Sequence, residues 1–361
     1  MNQLFMPTRV MMGKGCIKEN ASLFSEFGKK AMIVTGKTSA QKSGALTDVA
    51  DALKSQAISY EVFDEVENNP SVDTCYIGGQ KAKDFSAEFV IAIGGGSPMD
   101  AAKAIAAYAA NDMAAMDIYG TIKNKPLPLL SVPLTAGTGS EVTPYSVLTV
   151  KEIENKKSFS HPESFSKIAF LDPTYLESLP RAVLLDTTAD ALSHALESML
   201  CKRTSDVSNV YAEAALRHLG KLIPDVIGGK PDYEKLLFAS SLAGMAIAHT
   251  GTVVVHSMDY LLTYHKNVPH GRANALLLPG FLKLCAKHVP DRLAPVLDAF
   301  GADKVDTLCE LITNLVPEPV VLTEDEVNTF AKKAIGAKNV SQNLWPITED
   351  EEASVFSALL Q

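Results

Sequence analysis

The chain is poor in the residues that mark several functional classes. Its five cysteines (Cys16, Cys75, Cys201, Cys285 and Cys309) are scattered over 361 residues without a Cys-x-x-Cys pair. That argues against a disulfide framework and against a thiolate zinc cluster. Basic residues number 33 against 42 acidic ones, for a net charge of −9. A nucleic-acid partner would call for a basic surface, so none is expected. No basic stretch leads into an apolar one at the N-terminus, so no secretory signal is read and the cytoplasm is the expected location. Internal repeats and low-complexity segments are absent. Long uncharged runs are nearly absent too. The exception, residues 236–255, has the length of a membrane span. Its small residues (Ala239, Ser240, Ser241, Ala243, Gly244, Ala246) and His249 favour a buried helix, so no membrane partner is expected.

What remains is an ordinary globular composition, 47% hydrophobic, in a chain long enough for two cores. Apolar runs at 30–36, 58–63, 89–93 and 127–132 read as strands. They alternate with helical patterns at 43–56, 74–85 and 97–110. Such alternation implies a doubly wound parallel sheet. Segments 147–157 and 166–171 read as further strands forming a hairpin. Beyond about residue 179 the spacing becomes helical, with helices expected at 182–202, 206–226, 233–249, 273–288, 290–300, 303–315, 324–334 and 349–360. The reading is an α/β domain, 1–180, followed by an all-α domain, 181–361.

Two sets of residues carry chemistry. Asp190 and His194 lie four apart, on one helix face. His256 and His270 would complete a four-ligand set suited to a divalent transition metal. Asp-x-x-x-His alone recurs by chance on many helices. The second set is a strand followed by Gly94-Gly95-Gly96-Ser97-Pro98-Met99-Asp100. Ser97 is expected to cap the next helix and Pro98 to start it. A glycine turn at a helix N-terminus suits a phosphate. A second loop, Thr135-Ala136-Gly137-Thr138-Gly139-Ser140, follows the next strand. Two such loops fit a ligand at the strands' carboxyl ends better than two idle turns.

Taken together, Gly94–Asp100, Pro133-Leu134-Thr135 through Glu141, Asp190-Ala-Leu-Ser-His194-Ala-Leu-Glu197, His256 and Pro269-His270-Gly271 resemble the iron-containing (group III) alcohol dehydrogenase family. The motifs keep the family's order and span nearly the whole chain. The resemblance implies the dehydroquinate-synthase-like fold, an α/β N-terminal dinucleotide-binding domain plus an all-α C-terminal domain with the active site in the cleft between them. It implies Asp190, His194, His256 and His270 as ligands of Fe²⁺, with Zn²⁺ also compatible. It implies Gly95, Gly96 and Ser97 as the pyrophosphate loop, Asp100 as an acidic neighbour of the cofactor, and Thr135 and Thr138 in the second cofactor loop. Asn69 and Pro70 match a turn near the adenosine end. Lys156, or its neighbour Lys157, matches a cofactor-contacting lysine, and Val147 falls on the nicotinamide side. A homodimer or larger homo-oligomer is implied as well.

Three departures from the family pattern matter. The second loop begins Pro-Leu-Thr where Pro-Thr-Thr is usual. Tyr260 stands where many members carry a proton-moving histidine, and a phenol is a poor base near neutral pH. Asp259 and His265 are the remaining candidates for that role, although a helix-end charge and a surface-loop histidine are the plainer readings. Finally, the turn Gly36-Lys37-Thr38-Ser39 lacks the carboxylate that would accept bonds from a ribose 2′-hydroxyl. A lysine and two hydroxyls there favour NADP(H) over NAD(H).

The implied activity is reversible hydride transfer between the nicotinamide and a small alcohol or aldehyde, with the metal polarising the substrate oxygen. A polyol dehydrogenase or a dehydroquinate-synthase-like lyase is the alternative within the fold. A non-catalytic binding protein on a decayed enzyme fold is the alternative of another class. His161, His218 and His288 read as isolated surface residues, and His249 as a hydrogen-bonded core histidine.

Overall fold

Residues 4–360 are described by the computed structural model. They divide into two compact units, residues 6–135 with 140–179, and residues 180–360 with 4–5 and 136–139.

The first unit is built on eight strands: β1 (Arg9–Met12), β2 (Lys30–Thr35), β3 (Ser59–Phe63), β4 (Phe89–Gly94), β5 (Leu129–Pro133), β6 (Tyr145–Val150), β7 (Asn155–Ser160) and β8 (Ile168–Leu171). Its helices are α1 (Cys16–Glu19), α2 (Ser39–Lys42), α3 (Ala45–Ser55), α4 (Val72–Asp84) and α5 (Gly96–Ala110). Six strands form one sheet in the order β1-β8-β5-β4-β2-β3, with every pair parallel. Both faces are covered, which is why β2, β4 and β5 read as continuous apolar runs rather than as alternation. Ala31, Ile33, Ile91 and Ile93 point to one face and pack with Val49 and Leu53 of α3. Met32, Val34, Val90 and Ala92 point to the other and pack with Cys75 of α4 and Ile105 of α5. The period-two alternation of a strand sorts these side chains into two cores.

One sequence expectation needs correction, and one strand had no counterpart in it. Segment 147–157 does not pair with 166–171. It lies within an antiparallel hairpin of its own, β6 with β7, while β8 joins the parallel sheet between β1 and β5. The edge strand β1 gave no sequence signal, being four residues long and only partly buried.

The second unit holds α6 (Arg181–Met199), α7 (Asp206–Ile227), α8 (Tyr233–Thr250), α9 (Val254–Lys266), α10 (His270–His288), α11 (Pro290–Phe300), α12 (Val305–Leu315), α13 (Glu324–Ala334) and α14 (Glu349–Ser357). The uncharged run 236–255 is not one helix. It breaks after Gly251, which takes a left-handed conformation at φ +72°, and the axes of α8 and α9 differ by 110°. Among the described residues no single helix is long and apolar enough to cross a membrane. Helix α9, which carries His256, was not expected from sequence, because the apolar run hid its start.

Candidate functional site

The helical unit gathers the four metal-ligand candidates. Asp190 and His194 face inward from α6, His256 from α9, and His270 is the first residue of α10. Three imidazole Nε2 atoms converge on Asp190 Oδ1: His270 at 3.4 Å, His194 at 3.5 Å and His256 at 3.7 Å. One donor atom from each of the four lies within 4.8 Å of every other. Donors about 2.1 Å from a common ion at a tetrahedral angle stand roughly 3.4 Å apart. The three distances to Asp190 therefore match what a bound divalent ion requires, and the N₃O set is one that Fe²⁺ or Zn²⁺ accepts.

Close packing of backbone puts these donors in reach. A methyl group on Gly271 would overlap the Asp186 carbonyl oxygen on α6, so only glycine lets α10 cross there, one turn before Asp190. Arg272 then clasps the same turn, donating from Nε to Asp186 Oδ1 at 3.0 Å. A side chain on Gly137 would collide with Thr187 of α6, and the Gly137 carbonyl lies 3.3 Å from Nδ1 of His194. The second glycine loop thus packs against a ligand-bearing helix.

Each imidazole has its second nitrogen held. His194 Nδ1 faces the Gly137 carbonyl. His256 Nδ1 lies 2.5 Å from Glu197 Oε1, and Glu197 also accepts from the Val253 N–H at 2.7 Å and from Ser193 Oγ at 2.9 Å. His270 Nδ1 contacts the buried carboxylate of Asp259. Asn274 Nδ2 donates to Asp190 Oδ1 at 3.0 Å. Such partners fix the tautomer, so that Nε2 presents its lone pair.

The electrostatics of the imidazoles differ: burial opposes the charged form of His256, but the Glu197 and Asp190 carboxylates raise it well above its ordinary value, so an ion held there would displace a proton. Burial pushes His194 down to about 4 despite the attraction of Asp190, which leaves it neutral at neutral pH. Burial opposes ionisation of Asp190, but the surrounding imidazoles, His194 first, hold its carboxyl well below the usual range. Glu197 is likewise held below its ordinary value against burial, chiefly by His256.

Tyr260 is half-buried on α9 with its ring centroid 6.3 Å from that of His270. The plainer readings of its neighbours hold only in part, since His265 is exposed as expected. Asp259 lies in the second turn of α9, not at a helix end, and is fully buried. His265 lies in the last turn of α9, stacked on Phe330 at 5.3 Å, not in a loop. His249 is partly exposed and hydrogen-bonded, its Nδ1 2.7 Å from the Met245 carbonyl oxygen. The three histidines taken as isolated all have partners. His161 Nδ1 accepts from the Glu163 N–H, His218 packs edge-on against Phe238, and His288 stacks on Trp345 and meets Glu351 at 2.6 Å.

In the α/β unit the nucleotide candidates gather at the carboxyl ends of adjacent strands. Thr35 of β2 pairs with Ile93 of β4, and Gly94 of β4 pairs with Pro133 of β5. The turn 36–39, the loop Gly95-Gly96-Ser97 and Thr135 therefore leave the sheet side by side. β2 and β4 flank the point where the strand order reverses, the usual location for a ligand in such sheets.

Ser97 does not cap α5. The cap position is Gly95, which has no side chain, and the helix starts at Gly96. The Ser97 hydroxyl instead accepts from the N–H of Asn69 at 3.1 Å. No side chain caps the first turn of α5, so its N–H groups suit an anion. Asn69 adopts a left-handed conformation at φ +54°, and its Oδ1 accepts from Lys156 Nζ at 2.9 Å. Lys157 turns away, its Nζ 4.3 Å from the Tyr119 ring centre. Pro70 accepts from the Thr149 N–H at 2.8 Å. Asp100 is engaged within the protein, accepting from the Val147 N–H at 2.9 Å and from Ser140 Oγ at 2.6 Å. Buried Lys103 reaches the same loop, donating to Ser140 Oγ and the Tyr145 carbonyl at 2.6 Å each. Thr135 Oγ1 is buried without a protein partner, beside the Gly95 backbone. An orphaned hydroxyl in this loop fits a hydrogen-bonding nucleotide. Thr138 lies in 136–139, which groups with the helical unit.

Sequence reasoning missed Glu197, Asn274, Lys103 and the Asp186–Arg272 clasp. Glu197 stood inside the motif around Asp190, and its i,i+4 relation to Ser193 was the available signal.

Comparison with known proteins agrees along the whole chain. Residues 7–173 match the iron-containing alcohol dehydrogenase family and residues 184–360 match the C-terminal part of the Fe-containing alcohol dehydrogenase family. An NADPH-dependent butanol dehydrogenase of Clostridium saccharobutylicum is 29% identical over 99% of this chain and 98% of its own. An NAD-dependent methanol dehydrogenase of Bacillus methanolicus is 27% identical over 83% of this chain and 80% of its own. A crystal structure of an iron-containing alcohol dehydrogenase from Thermotoga maritima is 36% identical, covers 99% of both chains and superposes with a TM-score of 0.92. With both halves of the sequence matched and four convergent metal donors in the helical unit, the chain belongs to the iron-containing alcohol dehydrogenase family, and is a metal-dependent alcohol dehydrogenase or aldehyde reductase.

Proposed function

We propose that Asp190, His194, His256 and His270 hold one divalent ion, Fe²⁺ or Zn²⁺, and that the enzyme interconverts a small alcohol and its aldehyde or ketone with NADP(H) in preference to NAD(H). The observation that carries the metal reading is the convergence of three Nε2 atoms on Asp190 Oδ1.

An ion held there would supply Lewis acidity towards the substrate oxygen, and a bound nicotinamide would supply the hydride chemistry. The chain's own groups do the rest. Asp190 brings the one negative charge among the four donors, and Asn274 fixes its orientation through Oδ1. His194 and His256 are buried at 4% and 3% exposure, which keeps water from competing for their lone pairs. Tyr260 stands beside His270 and offers a hydrogen-bond donor rather than a base.

In the α/β unit, Gly95, Gly96 and Ser97 are proposed to hold the pyrophosphate at the start of α5. Asn69, Pro70, Thr135, Thr138, Val147 and Lys156 are assigned to the rest of the nucleotide, with Asp100 pinning the Val147 backbone. Gly36, Lys37, Thr38 and Ser39 are assigned to the 2′-phosphate. In support, Lys37 is exposed and the Thr38 hydroxyl is not used to cap α2. The relatives' names include both cofactors, so the choice rests on this turn. A homodimer or larger assembly, working in the cytoplasm, completes the proposal.

The test is anaerobic purification with metal analysis, then kcat/KM for short alcohols and aldehydes with each cofactor. A higher kcat/KM with NADPH is expected. A clear NADH preference would defeat the cofactor assignment.

A further inference from the structure

Helix α9 supplies more than a ligand. Three residues after His256, on the same helix face, it places Asp259. This carboxylate is 0% exposed. Its Oδ2 contacts Nδ1 of His270, and neither of its oxygens nor that nitrogen has another hydrogen-bond partner. A buried carboxylate without a compensating partner is costly. Asp259 lies in the second turn of α9, beyond the first turn in which a helix N-terminus stabilises an anion. What it contacts is the His270 imidazole, whose other nitrogen points at the metal donors, while its charge also acts on His256.

His270 also needs an orienting partner more than its companions do. Its side chain is 27% exposed against 5% for His194 and 4% for His256. It is the first residue of its helix, where the backbone is least constrained by its own helical bonds.

We propose that Asp259 is a positioning residue for the metal centre: it accepts the Nδ1 proton of His270, fixes Nε2 as the donor, and by its charge makes that imidazole a stronger ligand. The proposal rests on His270 being a ligand. Together with Glu197 behind His256, it gives the site two buried carboxylates, each behind a different imidazole.

The test uses the metal-stripped full chain, titrated with Co²⁺ against a competing chelator, for wild type, D259N, D259A and H270A. Melting of each metal-free protein is followed in parallel. Co²⁺ affinity is expected to fall about 10-fold in D259N, which keeps shape and an acceptor, and towards 100-fold in D259A. A role in packing alone would shift melting without shifting affinity. Should D259A fail to fold, near-isosteric D259N decides. D259N with wild-type affinity, alongside a deficient H270A, overturns the role of Asp259 and leaves the ligand set standing. H270A binding Co²⁺ as wild type does would overturn the ligand assignment, and Asp259 with it.

Discussion

The two units present their chemistry by different means. In the α/β unit the groups proposed to face the phosphates are largely backbone, delivered by loops at the ends of strands whose register is set by two cores. In the helical unit every proposed metal donor is a side chain, and each imidazole is held from behind by a carbonyl or a carboxylate. Backbone recognition needs small residues and correct strand order. Side-chain coordination needs a second layer of residues, and that layer is where one substitution does most damage.

The largest expected effect breaks the comparison at its centre. His194→Ala or His270→Ala removes a donor, so metal content should fall to a trace and kcat/KM by at least about 10³-fold. For His270→Ala, nucleotide affinity, followed by nicotinamide fluorescence, should stay within about two-fold, because His270 meets Asp190 and Asp259 rather than either glycine loop. Loss of both together would show that the units do not divide the work in this way.

The second effect concerns charges buried away from the donors. Lys103 in the α/β unit is surrounded by oxygen partners, and burial lowers it to about 8. Glu352 in the helical unit is fully buried with both oxygens unpartnered, and burial pushes it up to about 8 from 4.5. The folded state therefore holds a proton that the unfolded state releases above about pH 4.5. Stability from this group is full below that pH and is lost as pH rises through 8. Glu352→Gln should remove this slope and stabilise the protein at pH 8.5 by on the order of a few kcal/mol. Urea unfolding at pH 5 and pH 8.5 checks it, and equal pH dependence in both proteins would contradict it.

Third, Glu197→Ala strips the carboxylate from behind His256 and should weaken metal binding about 10- to 100-fold. Equilibrium dialysis reads it, and Glu197→Gln should recover part of the loss. The smallest effect sharpens the other side. Lys37→Ala should raise KM for NADPH by about 10-fold, a charge-assisted hydrogen bond's worth, and leave KM for NADH nearly unchanged. Equal effects on both cofactors would remove Lys37 from the 2′-phosphate.

The same contrast governs how much could be read in advance. The strands β2, β4 and β5 were legible because burial on both faces demands unbroken apolar runs. The convergence of the four donor candidates was legible because Asp190 and His194 share a helix face and the motifs around His256 and His270 are specific. Strand β1 was not, since a four-residue edge strand carries little pattern. Helix α9 was masked by the run it shares with α8. Ser97 looked like a cap because Ser-Pro at a helix start usually is one, yet its hydroxyl serves Asn69, 28 residues away. Asp259 read as a helix-end charge because its partner is set by tertiary packing of α9 against α10. Glu197 needed the same knowledge, as 59 residues separate it from His256.

The central claim is that four side chains of the helical unit form one N₃O donor set for a divalent ion. X-ray absorption at the edge of the metal retained by the wild-type enzyme tests it most directly. The account requires about one ion per chain with three imidazole nitrogens and one carboxylate oxygen at about 2.0–2.2 Å. A sulfur shell at about 2.3 Å, or no imidazole scattering at all, would contradict it.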